Sequence, residues 1–271
     1  MNRQDIRLPA AAFDFANGTS ADVGGGVDYD SILLASYLLE EQAALGIGGP
    51  VCEIGVKEGR FLVVLASYTG EGEHIVGVDP YYDLPDLKPV PQQNIEALAG
   101  AGERVVFHYE DSRRLTAAQL LPPGADGFRF IHIDGNHEED FVHNDLELAA
   151  TLIQPGGIVA LDDYFHYSGI GVSSALFRFF SERPDTELAP LVTCGPKFYL
   201  CTRSHLDLYR ARFLRRFDCD RRPILKTTWL GKPIISAHLT GRLAERIESL
   251  NMPRVLADQA AAAHPNARLS G

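Results

Sequence analysis

The feature that most constrains this chain is a regular alternation of strand-like and helix-like runs. Apolar runs of strand length recur at 50–55, 74–79, 104–109, 128–133 and 157–162. Helix-like segments follow at about 58–68, 91–100, 113–120, 138–153 and 171–182. Such a chain buries its strands by forming a parallel sheet covered by helices on both faces. Strands joined by crossover helices run the same way, so each delivers its last residues to one edge, where open α/β sheets bind ligands. A further helix is expected before the first strand, from Asp30 as N-cap to about Ala44, because Leu33, Leu34, Tyr37 and Leu38 share helical spacing. The segment LVTCGPKFYLCTR (191–203) breaks at Gly195-Pro196 and reads as a hairpin that ends the sheet with an antiparallel strand.

The ends differ from this core. Residues 1–29 are polar and carry Gly24, Gly25 and Gly26, which suits a flexible arm or a lid. Residues 30–203 make the α/β domain, and 204–271 read as a helical extension. In that extension Leu206, Tyr209, Phe213, Leu214 and Phe217 share one helix face. Arg210, Arg212, Arg215, Arg216, Arg221 and Arg222 form a cluster read as a solvated face compensating an acidic body. A second helix is expected at 237–250, with a frayed tail after Asp258.

Composition narrows the partners. The formal charge of −11 argues against nucleic acid, because phosphate binding needs a basic face. No apolar run is long enough for a membrane span or a secretion signal. Cys52, Cys194, Cys201 and Cys219 are widely spaced, which favours reduced thiols over a disulfide frame or a zinc site. A cytoplasmic protein acting on a small molecule is the expectation, without nucleic acid or membrane; a homo-oligomer stays open, since arms and helical extensions often exchange between subunits.

Chemistry concentrates where the strands end. The strand Phe128–Ile133 runs into Asp134, with His137 three residues on; Ile158–Leu161 runs into Asp162 and Asp163. These carboxylates would meet at one edge, and all-oxygen ligands suit Mg²⁺ or Mn²⁺. Equally, the aspartates could simply cap turns and helices. His137, with an unperturbed pKa near 6.5, suits a general base at neutral pH; a helix-start or metal-supporting role is the alternative. Tyr164 and His166 are fallback bases or substrate contacts, and Tyr81 and Tyr82 lie in another loop suited to substrate. His108 and His132, inside strands, read as hydrogen-bonded structural residues.

Glu53, Gly55 and Gly59 sit at the end of the first strand and the start of the next helix, where backbone can approach a ligand closely. The spacing is neither GxGxxG nor a phosphate loop. Glu53 would repel a pyrophosphate and suit a cationic ligand. Asp79 ends the second strand, where a carboxylate can accept from both ribose hydroxyls. Asp111-Ser112 follows the third, where an adenine amine could be held. One such feature per strand, in order, points to an adenosine-type ligand.

The order E-I-G-x-x-x-G, V-D-P-Y, E-D-S, I-D-G-x-H and P-G-G-x-x-x-x-D-D-Y resembles class I S-adenosylmethionine-dependent methyltransferases. More narrowly it is similar to the macrocin/mycinamicin-type metal-dependent sugar O-methyltransferases, the methyltransferase 24 group. The likeness covers about residues 30–203. It implies a Rossmann-like doubly wound, seven-stranded sheet whose last strand is antiparallel. It implies S-adenosyl-L-methionine at Glu53, Gly55, Gly59, Asp79, Asp111, Ser112 and Asp134, and Mg²⁺ (or Mn²⁺) at Asp134, Asp162 and Asp163. The expected reaction moves a methyl group to a hydroxyl of a small polar metabolite, a sugar or other vicinal diol of natural-product biosynthesis, with His137 and Asp134 as catalytic residues. A metal-independent methyltransferase and a non-catalytic adenosylmethionine-binding subunit are the alternatives.

Overall fold

The computed structural model describes residues 23–217 and 224–239. Within them the helices are α1 (Tyr29–Ala44), α2 (Arg60–Ala66), α3 (Val90–Ala99), α4 (Ala117–Leu120), α5 (Glu139–Leu152), α6 (Ile170–Glu182) and α7 (Leu206–Phe217). The strands are β1 (Val51–Ile54), β2 (Ile75–Val78), β3 (Val105–His108), β4 (Phe128–Ile133), β5 (Ile153–Leu161), β6 (Leu188–Cys194), β7 (Lys197–Thr202), β8 (Ile224–Trp229) and β9 (Lys232–Ala237). All nine join one sheet in the order β3-β2-β1-β4-β5-β7-β6-β9-β8.

Strands β1 to β5 are mutually parallel, and β7 runs antiparallel to β5. The expected seven-stranded arrangement is therefore present, with β8 and β9 added beyond it. That addition corrects the reading of the C-terminal extension as purely helical: among its described residues α7 is followed by a strand hairpin, and β9 pairs parallel with β6. The turn Leu230-Gly231 explains the hairpin, because both residues have positive φ (48° and 71°), as a two-residue type I′ turn needs. The helix expected from 237 begins inside β9; 240–250, like Arg221, Arg222, Cys219, the tail and most of the arm, lies outside the described residues.

Residue parity along each strand sorts side chains to the two sheet faces. Val51, Phe130, Ile158 and Tyr199 pack with α1, α2 and α7 on one side. Cys52, Ile131, Val159 and Phe198 pack with α5 and α6 on the other. Both faces are thus covered, which is why β1, β4 and the end of β5 carry apolar residues on both sides instead of alternating. Cys52, Cys194 and Cys201 are buried free thiols.

Local corrections follow from hydrogen bonding. Asp28, not Asp30, caps α1: its carboxylate accepts from Ser31 N at 3.0 Å. Asp30 instead accepts from Leu239 N at 3.0 Å, tying α1 to the end of the hairpin. The segment 113–120 holds only a 3₁₀ turn and the single-turn α4. The Pro155-Gly156-Gly157 stretch is not a turn ahead of β5 but an irregularity within it, where the register against β4 shifts. In α7, Arg212 pairs with Glu41 at 2.6 Å, so part of the basic cluster fastens α7 to α1.

Candidate active site at the carboxyl edge of the sheet

Backbone hydrogen bonds stitch the strand ends together: Gly55 N donates to Val78 O (2.8 Å), Asp134 N to Ile54 O (2.8 Å) and Asp162 N to Ile133 O (2.9 Å). A cavity of about 650 Å³ opens beyond them. Glu53, Gly55, Asp79, Tyr81, Asp111, Ser112, Asp134, His137 and Asp163 all border it. Gly24, Gly25 and Gly26 border it as well. Gly59, Asp162, Tyr164 and His166 do not border it.

The glycine turn is built around Asp79. Its carboxylate accepts from Val56 N (3.0 Å), Lys57 N (2.9 Å) and Tyr81 N (2.9 Å), and Tyr81 Oη donates to Lys57 O at 2.7 Å. Gly55 has φ 86°, and a Cβ there would meet Asp134 O at 2.0 Å. No L side chain fits this contact without moving one of the two strand ends. Gly59 caps α2 and lies against Pro91 of α3, a packing position rather than a cavity wall.

Asp111, Arg113, Phe141 and Asp145 form a second set along the cavity. Asp111 is held by Arg113, whose Nε and Nη2 lie 3.0 and 2.7 Å from the two carboxylate oxygens. The Arg113 guanidinium also stacks on Phe141, 3.3 Å from the ring centroid. Its hydrogen bonds hold the Asp111 carboxyl below the usual range. Asp145, buried on α5, is hydrogen-bonded to Ser112 and borders the cavity; burial pushes its carboxyl up to about 6. Arg113, Phe141 and Asp145 were not picked out from sequence. The i, i+4 spacing of Phe141 and Asp145 on a helix opening beside Asp134 was the available signal.

Beneath the cavity runs a line of buried ionisable residues. Glu53 Oε1 lies 2.8 Å from His132 Nδ1, His132 Nε2 lies 2.8 Å from Lys197 Nζ, and Lys197 Nζ donates to Asp162 Oδ2. An ammonium can only donate, so His132 accepts at Nε2 and is neutral, giving its Nδ1 proton to Glu53. The structural reading of His132 thus takes a specific form. Burial raises the Glu53 carboxyl above its usual range, against the opposing His132 bond, and Glu53 Oε2 has no partner. Burial would also raise Asp162, but the Lys197 ammonium outweighs it and holds that carboxyl well below the usual range. Lys197 is fully buried and was missed from sequence, where it stands as one basic residue opening an apolar strand.

The expected cation ligands therefore divide. The ligand atoms of Asp134, His137 and Asp163 lie within 4.8 Å of one another, as do those of His132, Asp134 and Asp162. His137 Nε2 is 2.9 Å from Asp163 Oδ2, and Asp163 holds a positive φ of 55°. Burial and the nearby Asp162 charge push the Asp134 carboxyl up to about 7. Tyr164 is turned inward, its hydroxyl accepting from Trp229 Nε1 at 2.8 Å. His166 sits outside, 3.9 Å from Asp163. Gly171 allows α6 to start against the His137 carbonyl: a Cβ there would fall 2.2 Å from that oxygen.

Residues 52–164 match the family model described as a methyltransferase domain. Those residues are a methyltransferase domain. The matched span of this methyltransferase domain runs from β1 through Tyr164 and contains every strand end that borders the cavity. Solved structures support the fold. The O-methyltransferase from Bacillus cereus in complex with SAH is 18% identical, with 73% of this chain and 92% of that one covered and a TM-score of 0.53. The O-methyltransferase TomG from Streptomyces achromogenes, involved in tomaymycin synthesis and solved with SAM, is 18% identical, with 74% and 90% covered and a TM-score of 0.50. No curated protein matches the chain significantly. Among the described residues, no helix is long and apolar enough to cross a membrane.

Proposed function

We propose that this chain is an S-adenosylmethionine-dependent O-methyltransferase that acts on a hydroxyl of a small polar metabolite, a sugar or another vicinal diol such as natural-product pathways carry. The observation that supports it is the single cavity that joins a glycine turn clamped by Asp79 to the His137–Asp163 pair. When bound, S-adenosylmethionine would supply a methyl carbon on a positively charged sulfur, which a hydroxyl oxygen can attack in line. The cavity suits that charge: Glu53, Asp79, Glu110, Asp111, Asp134 and Asp163 outnumber the basic residues around it. Glu53 Oε2, buried without a partner, is placed to accept from an ammonium group. Asp79 keeps one unused lone pair, on Oδ1, for a ribose hydroxyl beside its three backbone bonds.

His137 has the geometry of a general base. Asp163 orients its ring through Nε2 and would stabilise the imidazolium formed when a substrate hydroxyl gives up its proton. The donors Asp134, His137 and Asp163 also fit a hard divalent cation, since crowding already drives Asp134 towards its neutral form. Mg²⁺ or Mn²⁺ would be held by Asp134 and Asp163, beside Asp162, and would supply Lewis-acid polarisation of a substrate oxygen. The Lys197–Asp162 ion pair favours a second reading, a metal-independent methyltransferase, because it already neutralises one expected ligand.

Calorimetry with S-adenosylhomocysteine, followed by turnover of S-adenosylmethionine on a panel of diols with and without EDTA, tests this. Binding of S-adenosylhomocysteine and methylation confined to diols are expected. Absence of product binding would overturn the reading; turnover unchanged by EDTA would select the metal-independent form.

A further inference from the structure

Lys197 holds an unusual place. Its ammonium is fully buried, opens β7 and lies one residue beyond the Leu161–Phe198 pair of the β5–β7 ladder. It contacts Asp162 Oδ2 and His132 Nε2 and sits over the Phe61 ring, 4.8 Å from its centroid. The other Asp162 oxygen accepts from Asp163 N at 2.8 Å. Both oxygens of Asp162 are therefore engaged by the protein itself, whereas Asp134 and Asp163 face the cavity. Resting on the function proposed above, we infer that Lys197 is a resident counter-cation that occupies Asp162, confines any divalent ion to Asp134 and Asp163, and so sets a weak affinity for it.

The physical reasoning is local. A divalent ion gains from each additional carboxylate in its shell, and a buried ammonium beside that shell repels it. Lys197 is a positioning residue: it does not border the cavity, and it acts by fixing where Asp162 points. The same contacts attach the end of β5 to β4 and β7, so Asp163 leaves the sheet in a defined direction.

Mn²⁺ affinity, read from the electron paramagnetic resonance signal of free Mn²⁺ in the presence of S-adenosylhomocysteine, tests the inference on the full chain. Lys197→Met frees Asp162 and should bind Mn²⁺ roughly 10-fold to 100-fold more tightly than the unchanged protein. The double variant Lys197→Met/Asp162→Asn keeps the net charge and should return to within about threefold of the unchanged protein. Asp163→Asn should lose Mn²⁺ binding. Lys197→Met leaves a buried carboxylate unpaired, so thermal melts and calorimetry with S-adenosylhomocysteine establish folding; the double variant carries no such charge. A loss of Mn²⁺ binding in the double variant would place Asp162 among the ligands and overturn the inference. Equal Mn²⁺ affinity of Lys197→Met and the unchanged protein would overturn it too, as would no binding by either. S-adenosylhomocysteine binding would survive those outcomes, which separates them from failure of the cofactor reading.

Discussion

His137 Nε2 and Asp163 Oδ2 stand 2.9 Å apart although they leave different strands, one after β4 and one after β5. Asp163 reaches this position through a positive φ, a conformation an aspartate tolerates better than most residues. A base and its orienting carboxylate are thereby fixed by two neighbouring strand ends.

His137→Ala should lower kcat by about 10²-fold to 10⁴-fold, the usual contribution of a positioned base. Affinity for S-adenosylhomocysteine should stay within about threefold, because the ring pairs with Asp163 and not with the Asp79-clamped glycine turn. Steady-state kinetics beside calorimetry separates the two. Parallel loss of both would remove the base assignment.

Asp79→Ala should act the other way. The carboxylate organises the N–H groups of Val56, Lys57 and Tyr81, and hydrogen bonds to a charged acceptor contribute about 1.5–3 kcal/mol each. S-adenosylhomocysteine should bind roughly 10-fold to 100-fold more weakly. Unaltered affinity in calorimetry would separate the glycine turn from cofactor binding.

Asp145 gives the protein a pH dependence. Burial pushes its folded carboxyl up to about 6, against hydrogen bonds from Ser112 and Asn144, while the unfolded carboxyl titrates near 4. Between those values the folded state holds more protons, so stability falls as pH rises through that window. Asp145→Asn should remove up to about 3 kcal/mol of this loss. Urea unfolding should show the variant gaining on the unchanged protein from about pH 4 to about pH 6, then holding a constant lead. A difference independent of pH would refute the assignment.

How much of this could be read in advance depended on the kind of signal. Strands β1, β2, β4 and the end of β5 were legible because both their faces are buried, leaving mostly apolar runs that carry Glu53 or lead into Asp79, Asp134 and Asp162. Hairpin β8–β9 was not: Leu225, Lys226, Thr227 and Thr228 are exposed, and the arginines before them suggested a helix. The division of the aspartates was equally hidden. Asp162 and Asp163 look alike in sequence, but strand parity turns the first towards Lys197, whose burial depends on a pairing with β5 that no local pattern encodes.

Trp229→Ala should cost about 3–5 kcal/mol, because the indole packs on Phe177, Phe180 and Phe198. Trp229→Phe should recover most of that and lose only the bond to Tyr164, about 1 kcal/mol. Denaturant unfolding of both variants checks the difference.

That indole is the chain's single tryptophan, and its nitrogen is bonded to the residue immediately after Asp163. The molecule therefore carries one native indole fluorophore wired to the loop that follows β5. Changes in emission colour or intensity on titrating small molecules would report rearrangement there without any attached dye.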